Sequence, residues 1–212
     1  MMLYAAGSVH DISVDAEHLC GLTWLGESLW FADAGRERVV AVDPYDGEVL
    51  TVIGCPELRR GLATIDGHLV YAAGPDYRLR IVDPDGGDLL AEVRNPRAGE
   101  EITALEGGRQ GLWIGYRHSL ELRNTRDFGL VTSVGVRGKV TGATVTDRYV
   151  VYSDRAAESI IVADPASEQE ILPINVHGSP TGLTWDGGRI WYCDNSANRL
   201  RAIDVPGIVR SL

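Results

Sequence analysis

An all-β ring of five similar four-stranded sheets is the fold class this sequence predicts, and three observations carry it. One unit recurs five times: Gly21-Leu-Thr-Trp24, Gly61-Leu-Ala-Thr64, Ala104-Leu-Glu-Gly107, Gly142-Ala-Thr-Val145 and Gly182-Leu-Thr-Trp185 open segments that start 40, 43, 38 and 40 residues apart. Nine residues after each opening stands an apolar or aromatic residue, in turn Trp30, Val70, Trp113, Val151 and Trp191. Between the openings, Pro or Gly interrupts the chain at intervals that leave room for strands but not for helices, and glycine alone numbers 25. A period of about 40 residues suits a propeller blade or a two-helix repeat, and this punctuation decides for the blade.

The elements follow in order. In the first unit, residues 21–24, 28–32, 38–42 and 48–53 have strand length and are rich in apolar, aromatic and β-branched residues. The next turn carries Asp43-Pro44, and its counterparts are Asp83-Pro84, Asp164-Pro165 and Asp204. Asp bonds its own backbone there while Pro presets φ, the chemistry of a type I turn. The third unit has Asn124-Thr125 instead and is the most diverged. Outer strands are expected at 49–53, 89–93, 130–134 and 171–174, each about ten residues before the next opening. Residues 9–14 hold that place before Gly21, whereas the C-terminal tail, 208–212, is short. The expectation is a five-bladed β-propeller with four antiparallel strands per blade, its N-terminal strand closing the last blade and removing an unpaired edge. Residues 1–212 read as a single domain.

Composition narrows the partners. The chain has 212 residues, 44% of them hydrophobic, and a net charge of −10, a field that repels phosphate backbones and anionic lipid. Nucleic acid and membrane are therefore not expected as partners, and the oligomeric state is left open. Residues 1–6 show no basic n-region, no apolar run reaches the roughly 20 residues of a bilayer span, and a cytoplasmic location is expected. Cys20, Cys55 and Cys193 are odd in number and lack C-x-x-C spacing, which suits a reducing compartment.

The full units, such as Gly182-Leu-Thr-Trp-Asp-Gly-Gly-Arg-Ile-Trp-Tyr-Cys-Asp194 followed by Asn198-Arg-Leu-Arg-Ala-Ile-Asp204, resemble the repeats of streptogramin lyases, gluconolactonase-like proteins and NHL propellers. The resemblance spans nearly the whole chain and implies a lyase or a lactonase-like hydrolase. Gly21-Leu-Thr-Trp-Leu-Gly-Glu-Ser-Leu-Trp30 also looks like the repeats of plant- and bacterial-type glutaminyl cyclotransferases, which share the count of five blades. Cys20, Arg60 and Thr181 stand where that family has an acidic residue before the opening.

In such a blade, the link entering the inner strand and the loop between second and third strands share one face, around the mouth of the axis. Loop residues held by rigid sheets at a concave mouth are the expected place for a small-molecule site. The links are 15–20, 54–60, 94–103, 135–141 and 175–181. His18 and His177 precede blades that become neighbours on closure, and with Glu100 they are candidate ligands for a divalent metal ion. His177, His18, Glu101 and Lys139 are candidate catalytic residues: a histidine takes a proton while arginines and lysine stabilise a developing enolate or oxyanion. Arg60, Arg137, Arg117 and His118 are candidate substrate-binding residues. The competing reading is that these are solvated loop residues with no shared target.

Other residues have plainer roles. Asp33, Asp154 and Asp194 end second strands and are expected to pin the following turns. Cys20 would be a thiolate only if His18 or Arg60 lowered its pKa, and a small buried residue is the simpler reading. Trp30, Trp113 and Trp191 read as packing between blades, as do Trp24 and Trp185, with sugar stacking the remoter alternative. His10 is placed on a strand and His68 on the opposite face. No P-loop, G-x-S-x-G or H-E-x-x-H motif occurs. The expected function is thus a small-molecule enzyme at the mouth, a lyase or a hydrolase. The alternatives are a noncatalytic binding propeller, although no long apolar patch is evident, and a glutaminyl cyclotransferase.

Overall fold

Each repeat folds as one antiparallel sheet in the computed structural model, which describes residues 4–5 and 7–205. Strands β1 (Tyr4–Ala5) and β2 (Ser8–Ser13) precede the first repeat. Blade 1 comprises β3 (Leu19–Leu25), β4 (Ser28–Asp33), β5 (Arg38–Val42) and β6 (Val49–Gly54). Blade 2 comprises β7 (Leu58–Ile65), β8 (His68–Ala73), β9 (Arg78–Val82) and β10 (Leu89–Val93). Blade 3 comprises β11 (Ala104–Gly108), β12 (Gly111–Tyr116), β13 (Ser119–Arg123) and β14 (Leu130–Gly135). Blade 4 comprises β15 (Gly142–Val145), β16 (Val150–Asp154), β17 (Ser159–Asp164) and β18 (Gln169–Asn175). Blade 5 has β19 (Pro180–Trp185), β20 (Arg189–Asp194) and β21 (Arg199–Asp204).

The fourth strand of blade 5 is β2, paired antiparallel with β21 in the register Asp11↔Arg201 and Ile12↔Leu200. The ring therefore closes through the N-terminal strand, as expected from residues 9–14. The C-terminal tail 208–212 lies outside the described residues. One feature has no counterpart in the repeat pattern: β1 adds parallel to β18, Tyr4 opposite Ile174, so blade 4 has a fifth strand. Successive N-terminal strands thus join the outer edges of two neighbouring blades.

The inner strands β3, β7, β11, β15 and β19 stand side by side around the axis. They approach so closely that the openings need glycine. A Cβ on Gly21 would lie 2.5 Å from the Gly61 carbonyl carbon, and one on Gly142 would lie 2.7 Å from the Gly182 nitrogen. Away from the axis the blades diverge, and each gap fills with one apolar cluster. Trp30, Leu62 and Tyr71 pack between blades 1 and 2, and Trp191, Phe31 and Leu22 between blades 5 and 1. Trp24, Trp113 and Trp185 lie against such clusters, so all five tryptophans pack between blades. Divergence also leaves the outermost strands uncovered. Leu50, Leu89 and Leu130 are each about half exposed, giving blades 1–3 an apolar rim that the sequence pattern does not announce. Among the described residues no helix is long and apolar enough to cross a membrane.

Substituting Gly21→Ala forces a methyl into neighbouring backbone, and overpacking of this kind costs about 3 kcal/mol or more where nothing can yield. Urea denaturation should register that loss. Gly54→Ala, with nothing within 4 Å of its added Cβ, should change stability by only about 0.5 kcal/mol.

Candidate functional site

Convergence of the inner strands makes the site. The residue immediately before each opening, Cys20, Arg60, Thr103, Thr141 and Thr181, enters the ring at the same height, and these five line one cavity of about 260 Å³. Glu101, Arg117, Lys139 and Arg155 complete its polar wall. The mouth therefore gathers four cationic side chains and one carboxylate in a chain of net charge −10.

Aspartates hold the links that carry these groups. Asp33 Oδ1 accepts from the backbone N–H groups of Glu17 and His18 at 3.1 and 2.9 Å. Asp154 Oδ2 accepts from the Lys139 N–H at 2.8 Å, while its Oδ1 takes the N–H groups of Ala156 and Ala157. Asp194 Oδ1 likewise joins Ser179 to Ser196. Asp154 and Asp194 thus grip their turns as expected, and all three also grip the link before their own blade. In blade 3 that register position is Tyr116, whose hydroxyl donates to Asn95 Oδ1 at 3.1 Å.

The next position along the chain decides what points at the mouth: Ala34, Gly74, Arg117, Arg155 and Asn195. Asn195 Oδ1 accepts from the Leu19 N–H at 2.8 Å and ties blade 5 to blade 1. Arg117 and Arg155, from adjacent blades, both reach the cavity. Among the described residues neither they nor Lys139 has a carboxylate at salt-bridge distance. Arg60 is the engaged cation: its Nε lies 3.4 Å from Glu101 Oε1 and its Nη1 lies 2.6 Å from His18 Nε2.

His18 is half-buried, and its pKa is lowered, first by desolvation and then by Arg60 and Arg155, with Asp33 opposing. The imidazole is thus neutral at neutral pH, and Nε2 accepts the Arg60 N–H, so the ring proton sits on Nδ1. It lines an adjoining cavity of about 310 Å³ that shares Arg60 with the first. Tyr77 lines it too and hydrogen-bonds Glu101. Burial pushes the Cys20 thiol up to about 12, so Cys20 is a buried thiol rather than a thiolate. Among the threonines, Thr141 Oγ1 donates to the Pro180 carbonyl at 3.0 Å and Thr181 Oγ1 to the Leu19 carbonyl at 3.0 Å. Thr103 Oγ1 is buried without a partner.

The structure brings together part of the expected set. Arg60, Glu101, Arg117 and Lys139 share the cavity, with His18 one contact away through Arg60. His118 and Arg137 do not line it; His118 Nδ1 sits 3.0 Å from the Gly138 carbonyl and braces the link before blade 4. His177 is exposed, with its carbonyl accepting from the Tyr192 hydroxyl. Glu100 pairs with Arg97 at 3.2 Å. The metal set of His18, His177 and Glu100 is consequently not gathered: His18 meets Arg60, Glu100 meets Arg97 and His177 is exposed. Among the described residues no group of three His, Cys, Asp or Glu side chains is placed to hold a metal ion. Arg155, Thr103 and Thr141 line the cavity too, which residue type alone does not reveal. Their signal is positional: one step before an opening, or one step after a second strand.

No family model matches this chain, and no curated protein matches it. Solved structures match in shape. Glutaminyl cyclase from Myxococcus xanthus superposes with a TM-score of 0.78 at 14% identity, over 95% of this chain and 97% of that one. Catalytically inactive virginiamycin B lyase from Staphylococcus aureus, with quinupristin, gives a TM-score of 0.57 at 14% identity, over 89% of this chain and 66% of that one. Hydrazine synthase from Kuenenia stuttgartiensis gives 0.53 at 14% identity, over 85% and 56%. At such identities the likeness shows the fold, a β-propeller.

Proposed function

We propose that the cationic mouth binds a small metabolite bearing a carboxylate and acts on it as a lyase or a hydrolase. One observation supports this most: Arg60, Arg117, Lys139 and Arg155 surround about 260 Å³ with only Glu101 to balance them. Like charges crowd one another at a cost unless something anionic joins them. An anionic substrate supplies that partner, and the unpartnered Thr103 hydroxyl offers one more hydrogen bond.

The chemistry follows from the same groups. A proton beside a carbonyl is acidified when the resulting enolate forms against fixed cations, here Arg117, Arg155 and Lys139. Glu101 or neutral His18 would take that proton, and an anion that draws Arg60 away would free both; the enolate's electron pair would then form the double bond and expel the group on the neighbouring β-carbon, which would take the proton back from the base. In a hydrolysis the same base would take a proton from water as it adds to the carbonyl carbon, the cations would face the tetrahedral oxyanion, and the departing alkoxide would leave with the proton from the base. His177, Arg137 and His118 have no part in this scheme.

One observation favours a binding role without turnover. Arg60 occupies both Glu101 and His18, so neither base is free until a ligand competes for the guanidinium. Glutaminyl cyclisation, suggested by the Myxococcus xanthus neighbour, fits less well, since a cationic mouth repels the ammonium group that an N-terminal glutamine carries as it binds. A cytoplasmic setting accords with Cys20, Cys55 and Cys193 being free buried thiols.

Calorimetric titration with succinate, citrate, lactate and inorganic phosphate should find saturable binding of a carboxylate that weakens as salt rises. Arg155→Ala and Lys139→Ala should each weaken it about tenfold or more, the worth of a charge-assisted bond, and leave the ligand-free melting temperature in place. Affinity indifferent to both substitutions, or no saturation at all, defeats the proposal.

His18 adds a test of the mouth's electrostatics. Its folded pKa lies below the ordinary 6.5, so as pH falls the unfolded chain takes up the proton first, and stability drops through that window. Between about pH 7 and about pH 5, His18→Gln should therefore lose less unfolding free energy than the parent. Equal losses of unfolding free energy in the two proteins, from denaturant titrations at the two pH values, would contradict a neutral His18.

A further inference from the structure

The opposite end of the axis carries a second cleft, which shares no lining residue with the cationic mouth. It begins at an oddity of blade 3. The third and fourth places of the opening read Thr23-Trp24 in blade 1, Ala63-Thr64 in blade 2, Thr144-Val145 in blade 4 and Thr184-Trp185 in blade 5, but Glu106-Gly107 in blade 3. Glu106 is 7% exposed, yet it lines an open cleft of about 740 Å³ on the face of the first hairpins, between blades 3 and 4. Its Oε1 accepts from the Thr144 hydroxyl at 3.0 Å, and its Oε2 is buried with no partner.

Gly107 explains why the cleft exists. A Cβ there would lie 1.9 Å from the Thr64 carbonyl oxygen, so the chain passes close against blade 2 with no side chain. Blades 3 and 4 have Gly107 and Val145 where blades 1 and 5 have Trp24 and Trp185, so neither of them fills this sector with a tryptophan at that place. Trp185 lines the cleft together with Trp113 and Tyr149, and it packs against the cluster that includes Tyr149. Arg148 lies over the Tyr149 ring at 5.4 Å.

The chemistry of the occupant can be read from these groups. Burial pushes the Glu106 carboxyl well above the usual carboxylate range and so favours its protonated form; with Oε1 already accepting from Thr144, the unpartnered Oε2 is the oxygen left to carry an O–H donor. An unsatisfied buried donor costs about 1–3 kcal/mol until a ligand supplies an acceptor. Arg109 and Arg148 outnumber Asp147 at the rim, which argues against a cationic guest. The aromatic walls argue against a strongly hydrated anion, whereas a pyranose ring offers both an apolar face for indole and hydroxyl oxygens for donors. We propose that this cleft binds a neutral sugar, its ring stacked on Trp185 or Trp113 and a ring or hydroxyl oxygen bonded to Glu106.

Calorimetric titration of the intact chain with glucose, galactose, N-acetylglucosamine and cellobiose, and separately with tetramethylammonium, tests it. At least one saccharide should bind saturably. Trp185→Ala and Glu106→Leu should weaken it about tenfold or more, while Glu106→Gln, which keeps a donor and an acceptor, should bind like the parent. Lys139→Ala, at the other end of the axis, should leave saccharide binding alone and so separates this site from the cationic mouth. Thermal melts identify any variant that fails to fold, and Glu106→Gln then carries the test. Saturation by tetramethylammonium in place of a saccharide, loss of binding in Glu106→Gln, or no saccharide binding overturns the proposal.

Discussion

Backbone packed on backbone at the axis is the constraint from which the rest of this structure follows. With five blades, the inner strands meet where Gly21 faces Gly61 and Gly142 faces Gly182 at distances that admit no Cβ. The same proximity brings side chains across blade boundaries, Thr23 to Thr64 at 3.3 Å and Thr144 to Glu106 at 3.0 Å. A tight axis also determines the size of the mouth. The residue before each opening has nowhere to go but into a shared ring, so the cavity is small, polar and built from all five blades. N-terminal closure preserves this geometry, because β2 supplies the last outer strand and β1 fastens to the blade before it.

Repetition supplies the frame and departures from it supply the chemistry. Asp33, Asp154 and Asp194 occupy one register position and perform one task, holding the link of their own blade by its amides. Because the backbone is held there, the adjacent residue can vary without loosening the fold, from Ala34 through Arg117 and Arg155 to Asn195. Loops fixed by buried carboxylates are a way to present side chains rigidly, and rigidity is what binding without a large ordering cost requires. The same logic operates at the other end, where the Glu106-Gly107 departure in blade 3 leaves both a gap and a buried acid beside it.

Blade number, strand order and closure were legible in the repeat because each depends on local signals: strand length, Asp-Pro turns and the recurrence of one opening. The parallel addition of β1 was not, since no second copy of that segment exists for comparison. At the mouth, Arg60, Glu101, Arg117 and Lys139 were legible as unusual residues in links or loops. Arg155 was hidden by following an ordinary strand-ending Asp154, and Thr103 and Thr141 by being unremarkable residue types. His18 and His177 illustrate the limit from the other side. Closure does make their blades neighbours, but whether two side chains meet depends on rotamers and local partners, here Arg60 for His18 and solvent for His177.

Charge at the mouth and charge on the molecule oppose one another, and distance decides between them. The net −10 acts over the whole surface, where ions screen it within about 8 Å at physiological salt. The mouth cations act on a ligand a few ångströms away, in a recess with less water to screen them, where an unscreened pair is worth about 4 kcal/mol at an effective dielectric of about 20. Far-field repulsion therefore slows the approach of an anion, and near-field attraction governs whether it stays. A highly charged polyanion would span both regions and meet the acidic surface as well as the mouth, whereas a small carboxylate fits inside the favourable one. On the proposed reading, an acidic propeller with a cationic mouth would select for size as well as for sign.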